Sequence, residues 1–427
     1  MKKIIALLLA CVMVLGLFAG CANSGNNEES KPEETKNQNT PAETKKYEGV
    51  ELTMWSMWTA GEAQAEVIQA AADAFYAETG AKVNIEWKGR DVNTLLSAAL
   101  ESGEKLDIFE DDYNRIGNAY APYTYDLTEM AAAAGYADYS YACFNDQSIA
   151  WAGYLNSIVE QPQIGGIFYN KDVFDACGIT EVPTTWAEFL TVCATIEAKG
   201  YEALALDGAY ANFNYYYHLV RHLGEDGIAE LGKNGGWAES EAAVAAAQEI
   251  IDFVNAGYLA DGAPDAYPAS QTKVGLDTAA MVVCANYVTS EVDAAVGESV
   301  NWGFFNYPEV EGNVDASAYA GANSLAISSY TENAQAAFDF ILYIVTGTYG
   351  QMLADNCGQI PADTRLTESV LVGSVEALKN TTAPMSWCGS LNTLDGWATI
   401  KSSMIELFEG KYATGLEYCQ YLDTLCG

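Results

Sequence analysis

Between Val50 and Phe109 the hydrophobic period switches back and forth, and that switching limits the fold more than any other feature of the chain. Apolar residues alternate at Val50, Leu52 and Met54, follow a helical spacing through EAQAEVIQAAADAFYAETG up to Gly80, then alternate again at Val83, Ile85 and Trp87. A second helical pattern near Asn93 to Ser102 leads into the strand-like run Leu106-Asp107-Ile108-Phe109. Alternation marks strands and a period of about 3.6 marks helices, so the order is β-α-β-α-β, which predicts an α/β sheet covered by helices. In such sheets ligands sit beyond the carboxyl ends of the strands. Here those ends carry Trp58 and the stretch Glu110-Asp111-Asp112-Tyr113-Asn114-Arg115.

A second stretch, GGIFYNKDVFDACGI from Gly165 to Ile179, runs from an apolar strand straight into Tyr169-Asn170-Lys171-Asp172. It offers no nucleophile with a base, no metal-ligand spacing and no phosphate loop, so its role is architectural. Ile167 to Tyr169 close a strand, Asn170 is a helix N-cap, Lys171 to Cys177 form a short helix and Gly178 ends it. After Pro183, Thr185 and Glu188 have the capping-box spacing that starts a helix running to about Lys199.

The chain opens on Lys2 and Lys3, an apolar run from Ile4 to Gly20, and Cys21 behind the small pair Ala19-Gly20, the plan of a secretory signal at residues 1–20. The run is barely long enough to span a membrane, so a retained anchor helix is the competing reading. LFAGC resembles the lipobox of bacterial lipoproteins, whose cysteine is acylated after cleavage, with Phe18 where that family more often has Leu. Cys11 in LLAC would leave too short an apolar core, so Cys21 is the expected lipidation site. Residues 21–46 read as this cysteine and a tether, with no aromatic or branched aliphatic residue to bury. A flexible segment of that length reaches on the order of 25–30 Å. The order of parts describes a protein held by a lipid on the extracellular face of the cytoplasmic membrane.

The chain has 427 residues, ample for a large core and for two domains or more. Its 58 acidic residues against 20 basic ones give a formal charge of −38, which repels phosphate backbones and excludes nucleic acid as an expected partner.

The segment GIFYNKDVFDACGITEVPTTWAEFL resembles the pattern strand-YNKDLF-x-x-x-G-x-x-x-P-x-T-W-x-E-L of the extracellular solute-binding proteins of ABC importers, family 1, the group that includes maltose-binding protein. Further pieces follow in the family's order: LTMWSMWTAGEAQAEVIQAAADAFYAETGAKVNIEW, LLSAALESGEKLDIFEDD, TAAMVVCANYVTSEV, NWGFFNYPEVEG, AYAGANSLAISSYTENAQAAFDFILYIV and GQIPA. The resemblance covers nearly everything from Val50 onward. It implies a two-lobed periplasmic-binding-protein-like α/β fold whose lobes close on a ligand in the cleft between them. The implied N-terminal lobe holds residues 47–162 and 304–348, and the C-terminal lobe residues 163–303 and 349–427. A monomer is expected that carries a carbohydrate, an oligosaccharide, to the permease subunits of an ABC transporter, without catalysis and without a cofactor.

Candidate ligand-binding residues follow from the strand ends and from the resemblance together. Trp58 follows the first strand. Tyr287 matches the place in AMVVCANYV where sugar-binding relatives carry a stacking Trp, Tyr215 and Tyr216 fall in a helix-start region that contributes an aromatic, and Trp387 and Trp397 lie in a late segment that reaches the cleft in relatives. Asn114 and Arg115 match positions where maltose-binding protein has Asp and Arg, and Gln163 replaces a family Glu. Asp111 and Asp112 add carboxylates at the same strand end, although this cluster also reads as a solvated acidic turn. Aromatic faces cover the C–H face of a pyranose while carboxylates and amides take its hydroxyls, which is why the two residue types belong together.

Other chemistries fit less well. Adjacent Asp111 and Asp112 cannot easily stand on opposite sides of a glycosidic bond. His218 and His222, the chain's 2 histidines, are spaced i, i+4 on a helix, but no third ligand is in view, so no metal is expected. NYYYH at Asn214 to His218 invites a ferric site built on tyrosinates, and an acidic cleft would suit a polyamine. A surface sensor or adhesin is a further alternative. Of the 10 cysteines, Cys177, Cys193 and Cys284 occupy apolar positions that suit buried thiols, and pairing among the rest cannot be deduced.

Overall fold

The structure, a computed structural model, describes residues 45–381 and 387–426. The signal at 1–20, Cys21 and the tether as far as Thr44 lie outside the described residues. Lys45 and Lys46, read above as the end of the tether, are docked on the folded chain: Lys45 Nζ donates to Ala77 O at 2.7 Å and Lys46 Nζ to Asp339 Oδ2 at 2.6 Å. Among the described residues no helix is long and apolar enough to cross a membrane.

The strands are β1 (Glu51–Ser56), β2 (Lys82–Trp87), β3 (Ile108–Asp112), β4 (Ile158–Asn170), β5 (Glu202–Ala205), β6 (Ala279–Ala285), β7 (Trp302–Phe305) and β8 (Ala320–Ile327). The opening unit has the expected order, with β1 parallel to β2 and to β3 and the helices Ala63–Thr79 and Val92–Ser102 between them in sequence. The sheet runs β2-β1-β3-β8-β4-β6-β5, with β7 added beside β4.

β4 changes partners along its length. Ile158 to Ile164 pair antiparallel with β8, whereas Gly165 to Tyr169 pair with β6 and Ile167 to Asn170 with β7. Two glycines mark the change. A Cβ on Gly165 would stand 2.8 Å from Phe213 Cζ and from Tyr319 Cβ, and one on Gly166 would stand 2.6 Å from Phe304 Cε2, so a larger residue at either place displaces packed rings. Beyond the switch the connection forms as the sequence spells it: Asn170 Oδ1 accepts from the N–H groups of Asp172 and Val173, Lys171–Cys177 is helical, and Thr185 and Glu188 make a reciprocal capping box.

Separate hydrophobic cores lie on either side of the switch. One gathers Leu52, Met54, Ile68, Phe75, Ile108, Leu325 and Phe340; the other gathers Ile167, Phe189, Phe213, Tyr217, Ile250, Met281 and Leu407. β4 stays with β8 through Ile164, and β7 pairs with the second half of β4 through Phe305. The helix Gly347–Cys357 packs Tyr349, Met352 and Leu353 against the first core. The cysteines of the described residues are free thiols, with Cys177, Cys193 and Cys284 buried.

The crossing ladder also buries two carboxylates. A bulge in β4 leaves Glu160 unpaired between Val159, which faces Ser324, and Gln161, which faces Asn323. Glu110 lies on β3, on the far side of β8. Glu110 Oε2 accepts from Ser56 Oγ at 2.6 Å and from the Met57 N–H at 3.3 Å, and Glu160 Oε1 accepts from Gln359 Nε2 at 3.5 Å. Their second oxygens, Glu110 Oε1 and Glu160 Oε2, have no partner in the protein. Burial outweighs the bonds from Ser56 and Met57 and pushes the Glu110 carboxyl up to about 7; burial, and then the Glu110 charge, push Glu160 well above its ordinary value.

A carboxyl held protonated by the fold stabilises it below the unfolded pKa, and that stability is lost as pH rises through the folded value. For Glu110 the window lies between 4.5 and about 7. The expected loss across it is on the order of 3 kcal/mol. Thermal unfolding followed from acid to neutral pH should therefore show a falling melting temperature, and Glu110→Gln should flatten the profile. A pH profile that is the same in Glu110→Gln as in the wild type rules the account out.

Candidate functional site

A cavity of about 900 Å³ opens where the end of β1, the crossing strands β4 and β8, and the segment after β6 come together. Its first wall is built on Glu110. The Ser56 hydroxyl that donates to Glu110 also accepts from the Trp58 N–H at 3.2 Å, so the buried carboxyl shapes the turn that presents Trp58. The Trp58 ring lies beneath the Arg90 guanidinium, 4.8 Å from the ring centroid, and its indole N–H has no partner in the protein. Arg90 is held by two bonds to Glu62, at 3.0 and 3.3 Å, and one to Met57 O at 2.6 Å.

A second wall is tied to the partner switch of β4. The Asn286 N–H donates to Ile164 O at 2.9 Å while Asn286 Oδ1 accepts from the Ile164 N–H at 3.1 Å. This double bond to the strand fixes the next residue, Tyr287, at the N-cap of the helix Val288–Val296. Burial pushes the Tyr287 hydroxyl pKa up, so it is a neutral phenol. Gln161 and Gln163, two residues apart on β4, share the floor with Asn323, whose Nδ2 donates to Gln161 Oε1 at 2.6 Å, and with Gln359, whose Oε1 has no partner. Both carboxylates of the wall are engaged, Glu62 by Arg90 and Asp293 by Trp302 Nε1 at 2.9 Å and the Val300 N–H at 3.1 Å. What remains for a ligand is a set of neutral amides and hydroxyls, the rings of Trp58 and Tyr287, and one cation, Lys171.

Of the residues singled out in the sequence, Trp58, Gln163 and Tyr287 meet in this cavity. Asp112, Asn114 and Trp387 line a second one, of about 540 Å³, together with Tyr319 and Trp151. The two cavities adjoin at Gly321, where an added Cβ would lie 2.9 Å from Tyr319 Oη and 3.4 Å from Gln163 Oε1. Trp387 stacks on Phe213 at 4.0 Å and stands edge-on to Tyr319 at 5.8 Å. Asp112 caps the helix Tyr113–Asn118 by accepting from the Arg115 N–H, and burial raises its carboxyl pKa.

The others lie elsewhere. Asp111 is buried and bonded at both oxygens to Arg115, at 3.0 and 2.5 Å, and neither residue lines either of these two cavities; the two charges at the strand end satisfy each other. Tyr215 and Tyr216 were expected near a helix start, but the helix Gly208–Asn234 begins well before them and both are fully buried in the C-terminal core. Tyr215 meets Tyr418 edge-on at 5.4 Å, and the Tyr216 hydroxyl donates to Glu225. Burial drives the Tyr215 pKa far up, the opposite of what a ferric-binding tyrosinate requires. Trp397 begins the helix Trp397–Phe408 and packs against the same core.

Glu62, Arg90, Gln161, Asn286, Asn323 and Gln359 were not singled out. Strand alternation from Gln163 points to Gln161, and Asn286 is the neighbour of Tyr287; Arg90 and Gln359 reach the site from distant segments and leave no local signal. The histidines also gain a neighbour. His218 Nε2 and His222 Nε2 lie 2.9 and 3.2 Å from Glu249 Oε2, a third ligand-type atom that their own spacing did not reveal.

Residues 59–346 match the family described as bacterial extracellular solute-binding protein. The chain is 25% identical over 420 residues to the diacetylchitobiose binding protein DasA of Streptomyces coelicolor, a similarity covering 92% of this chain and 90% of that protein. Its fold is similar to apo RafE from Streptococcus pneumoniae, with a TM-score of 0.71 at 15% identity over 88% of this chain and 97% of the other. It is also similar to a chitin oligosaccharide binding protein, with a TM-score of 0.62 at 20% identity, over 88% and 97% of the two chains. The chain belongs to the bacterial extracellular solute-binding protein family, as a two-lobed α/β binding protein and not an enzyme.

Proposed function

We propose that this protein captures a carbohydrate, an oligosaccharide, in the 900 Å³ cavity and delivers it to the permease subunits of an ABC transporter, while an acylated Cys21 holds it on the extracellular face of the cytoplasmic membrane. The observation that carries the reading is the wall itself: the rings of Trp58 and Tyr287 with the amides of Gln161, Gln163, Asn286 and Asn323. Aromatic faces suit the C–H face of a sugar and amides suit its hydroxyls, each able to donate and accept. The volume is at the upper end of small-molecule sites, which favours more than one sugar ring. Sugar-binding relatives add support, since the Streptomyces coelicolor protein is a diacetylchitobiose binding protein. A polyamine is favoured less, because Glu62 and Asp293 already hold partners within the protein.

A second reading seats the sugar in the neighbouring cavity, on Trp387 beside Asp112 and Asn114. The two separate by substitution. A thermal-shift panel of chitin-, xylan-, maltose- and galactose-based oligosaccharides should give at least one ligand that raises the melting temperature by mass action. Calorimetry with that ligand should show Tyr287→Ala weakening binding roughly ten- to a hundredfold, as the loss of a buried aromatic surface requires. Trp387→Ala should change it little. The reverse ranking moves the ligand to the second cavity, and a panel without any shift removes the carbohydrate reading.

Asp111→Asn separates support from contact. Because Asp111 is spent on Arg115, the substitution should lower the melting temperature and leave sugar affinity nearly unchanged. A selective loss of affinity in a fully stable variant would show that Asp111 touches the ligand after all. For the anchor, Cys21→Ser should abolish metabolic labelling by a fatty-acid analogue; equal labelling of the variant and the natural chain contradicts acylation at this cysteine.

A further inference from the structure

The two histidines stand apart from the sugar cavity and have no part in the function proposed above. They lie four residues apart on one face of the helix Gly208–Asn234, and Glu249 reaches them from the helix Glu241–Asn255. Both Nε2 atoms address the same carboxylate oxygen, His218 at 2.9 Å and His222 at 3.2 Å. An ion pair needs only one of these donors. Two imidazoles and a carboxylate converging on one point is instead the arrangement that ligands take around a shared ion.

The distances bear on this directly. The three donor atoms all lie within 4.8 Å of one another, the one such group among the described residues. A tetrahedral ion with bonds of about 2.0–2.1 Å holds its donors about 3.3 Å apart. The two nitrogen-to-oxygen distances, 2.9 and 3.2 Å, therefore have to open by only a few tenths of an ångström, while the two nitrogens, within 4.8 Å of each other, have to draw together. We infer that His218, His222 and Glu249 form a site for one divalent transition-metal ion of the zinc class, clipping the two helices together.

The surroundings supply what such a site needs. A ligating imidazole must leave one nitrogen free of its proton and have the other held by a hydrogen bond. His218 Nδ1 lies 3.3 Å from Tyr307 Oη, which in turn lies 3.4 Å from Asn214 Oδ1. With Nε2 of His218 on the ion, its Nδ1–H donates to the tyrosine oxygen and the tyrosine hydroxyl donates to the asparagine, so both of these protons have an acceptor. The Trp186 ring packs 4.5 Å from the His218 ring and fixes its plane. Access is from the Glu249 side: His218 is fully buried, His222 is 8% exposed and Glu249 is 32% exposed, which leaves a path for the ion and room for a water ligand. Two imidazoles with one carboxylate suit zinc, copper, nickel or iron and do not suit calcium or magnesium, which take oxygen donors.

The test uses the full chain freed of metal by dialysis against a chelator. Titration with zinc chloride should show one ion per chain and raise the melting temperature, and cobalt(II) should give the visible bands of a tetrahedral site without thiolate charge transfer. His222→Ala and Glu249→Gln, both on the solvent side, should each weaken zinc binding by more than about a hundredfold while circular dichroism and sugar affinity stay unchanged. The proposal is overturned if the natural chain takes up no stoichiometric zinc, if both folded variants bind as well as it does, or if cobalt reports thiolate ligands. The zinc measurement needs no sugar, so failure of the carbohydrate reading and failure of this one are distinguishable.

Discussion

The strand β4 has to serve two sets of partners, and most of the structure follows from how it manages this. Up to Ile164 its backbone groups are taken by β8; from Gly165 they are taken by β6 and β7. A strand can change neighbours only where nothing projects into the space that the new ones occupy, hence two successive glycines beneath Phe213, Tyr319 and Phe304. The hydrophobic residues on either side then collapse into separate cores. The cavity sits where the exchange occurs, because that is where the ladder has no continuous neighbour and side chains from both halves can meet.

The second organising fact is that the carboxylates lining the cavity are already spoken for. The chain carries a formal charge of −38, yet Glu62 is paired with Arg90, Asp293 is bonded to N–H groups, and burial pushes the carboxyls of Glu110 and Glu160 up. A cationic ligand would have to compete for these carboxylates, whereas a neutral polyhydroxylated one meets aromatic faces and amides that both donate and accept. Glu110 shows how far the arrangement reaches inward. It touches no ligand, but through Ser56 it sets the turn that carries Trp58.

The sequence was most informative where the determinants are local. Alternating Val50, Leu52 and Met54, the glycine at Gly80, the cap at Asn170 and the Thr185–Glu188 box act over a few residues, and each appears in the structure within a residue or two. Side-chain direction at longer range was less legible. Tyr215 and Tyr216 look like site aromatics from their place in the chain, but the helix starts at Gly208 and turns both into the core. Asp111 looks like a free acid until Arg115 folds back on it one helical turn later. Arg90, Gln359 and Glu249 join their neighbours from segments whose nearness only the topology creates, and no spacing in the sequence encodes it.

One further property of the sheet concerns the order in which it can be assembled. β3 pairs with β8, so Asp112 must wait for Asn323 before its ladder closes, and Leu52 and Met54 share a core with Phe340. The amino-terminal half thus lacks a complete hydrophobic core until most of the chain has been made. A ribosome or an export channel delivering this polypeptide from its first residue would hold a long, unsettled intermediate with an unpaired β3 edge and exposed apolar surface. Such non-local closure makes folding slow relative to helical proteins of the same size. For a member of an extracellular family that delay is useful, since a polypeptide that cannot finish folding early remains threadable.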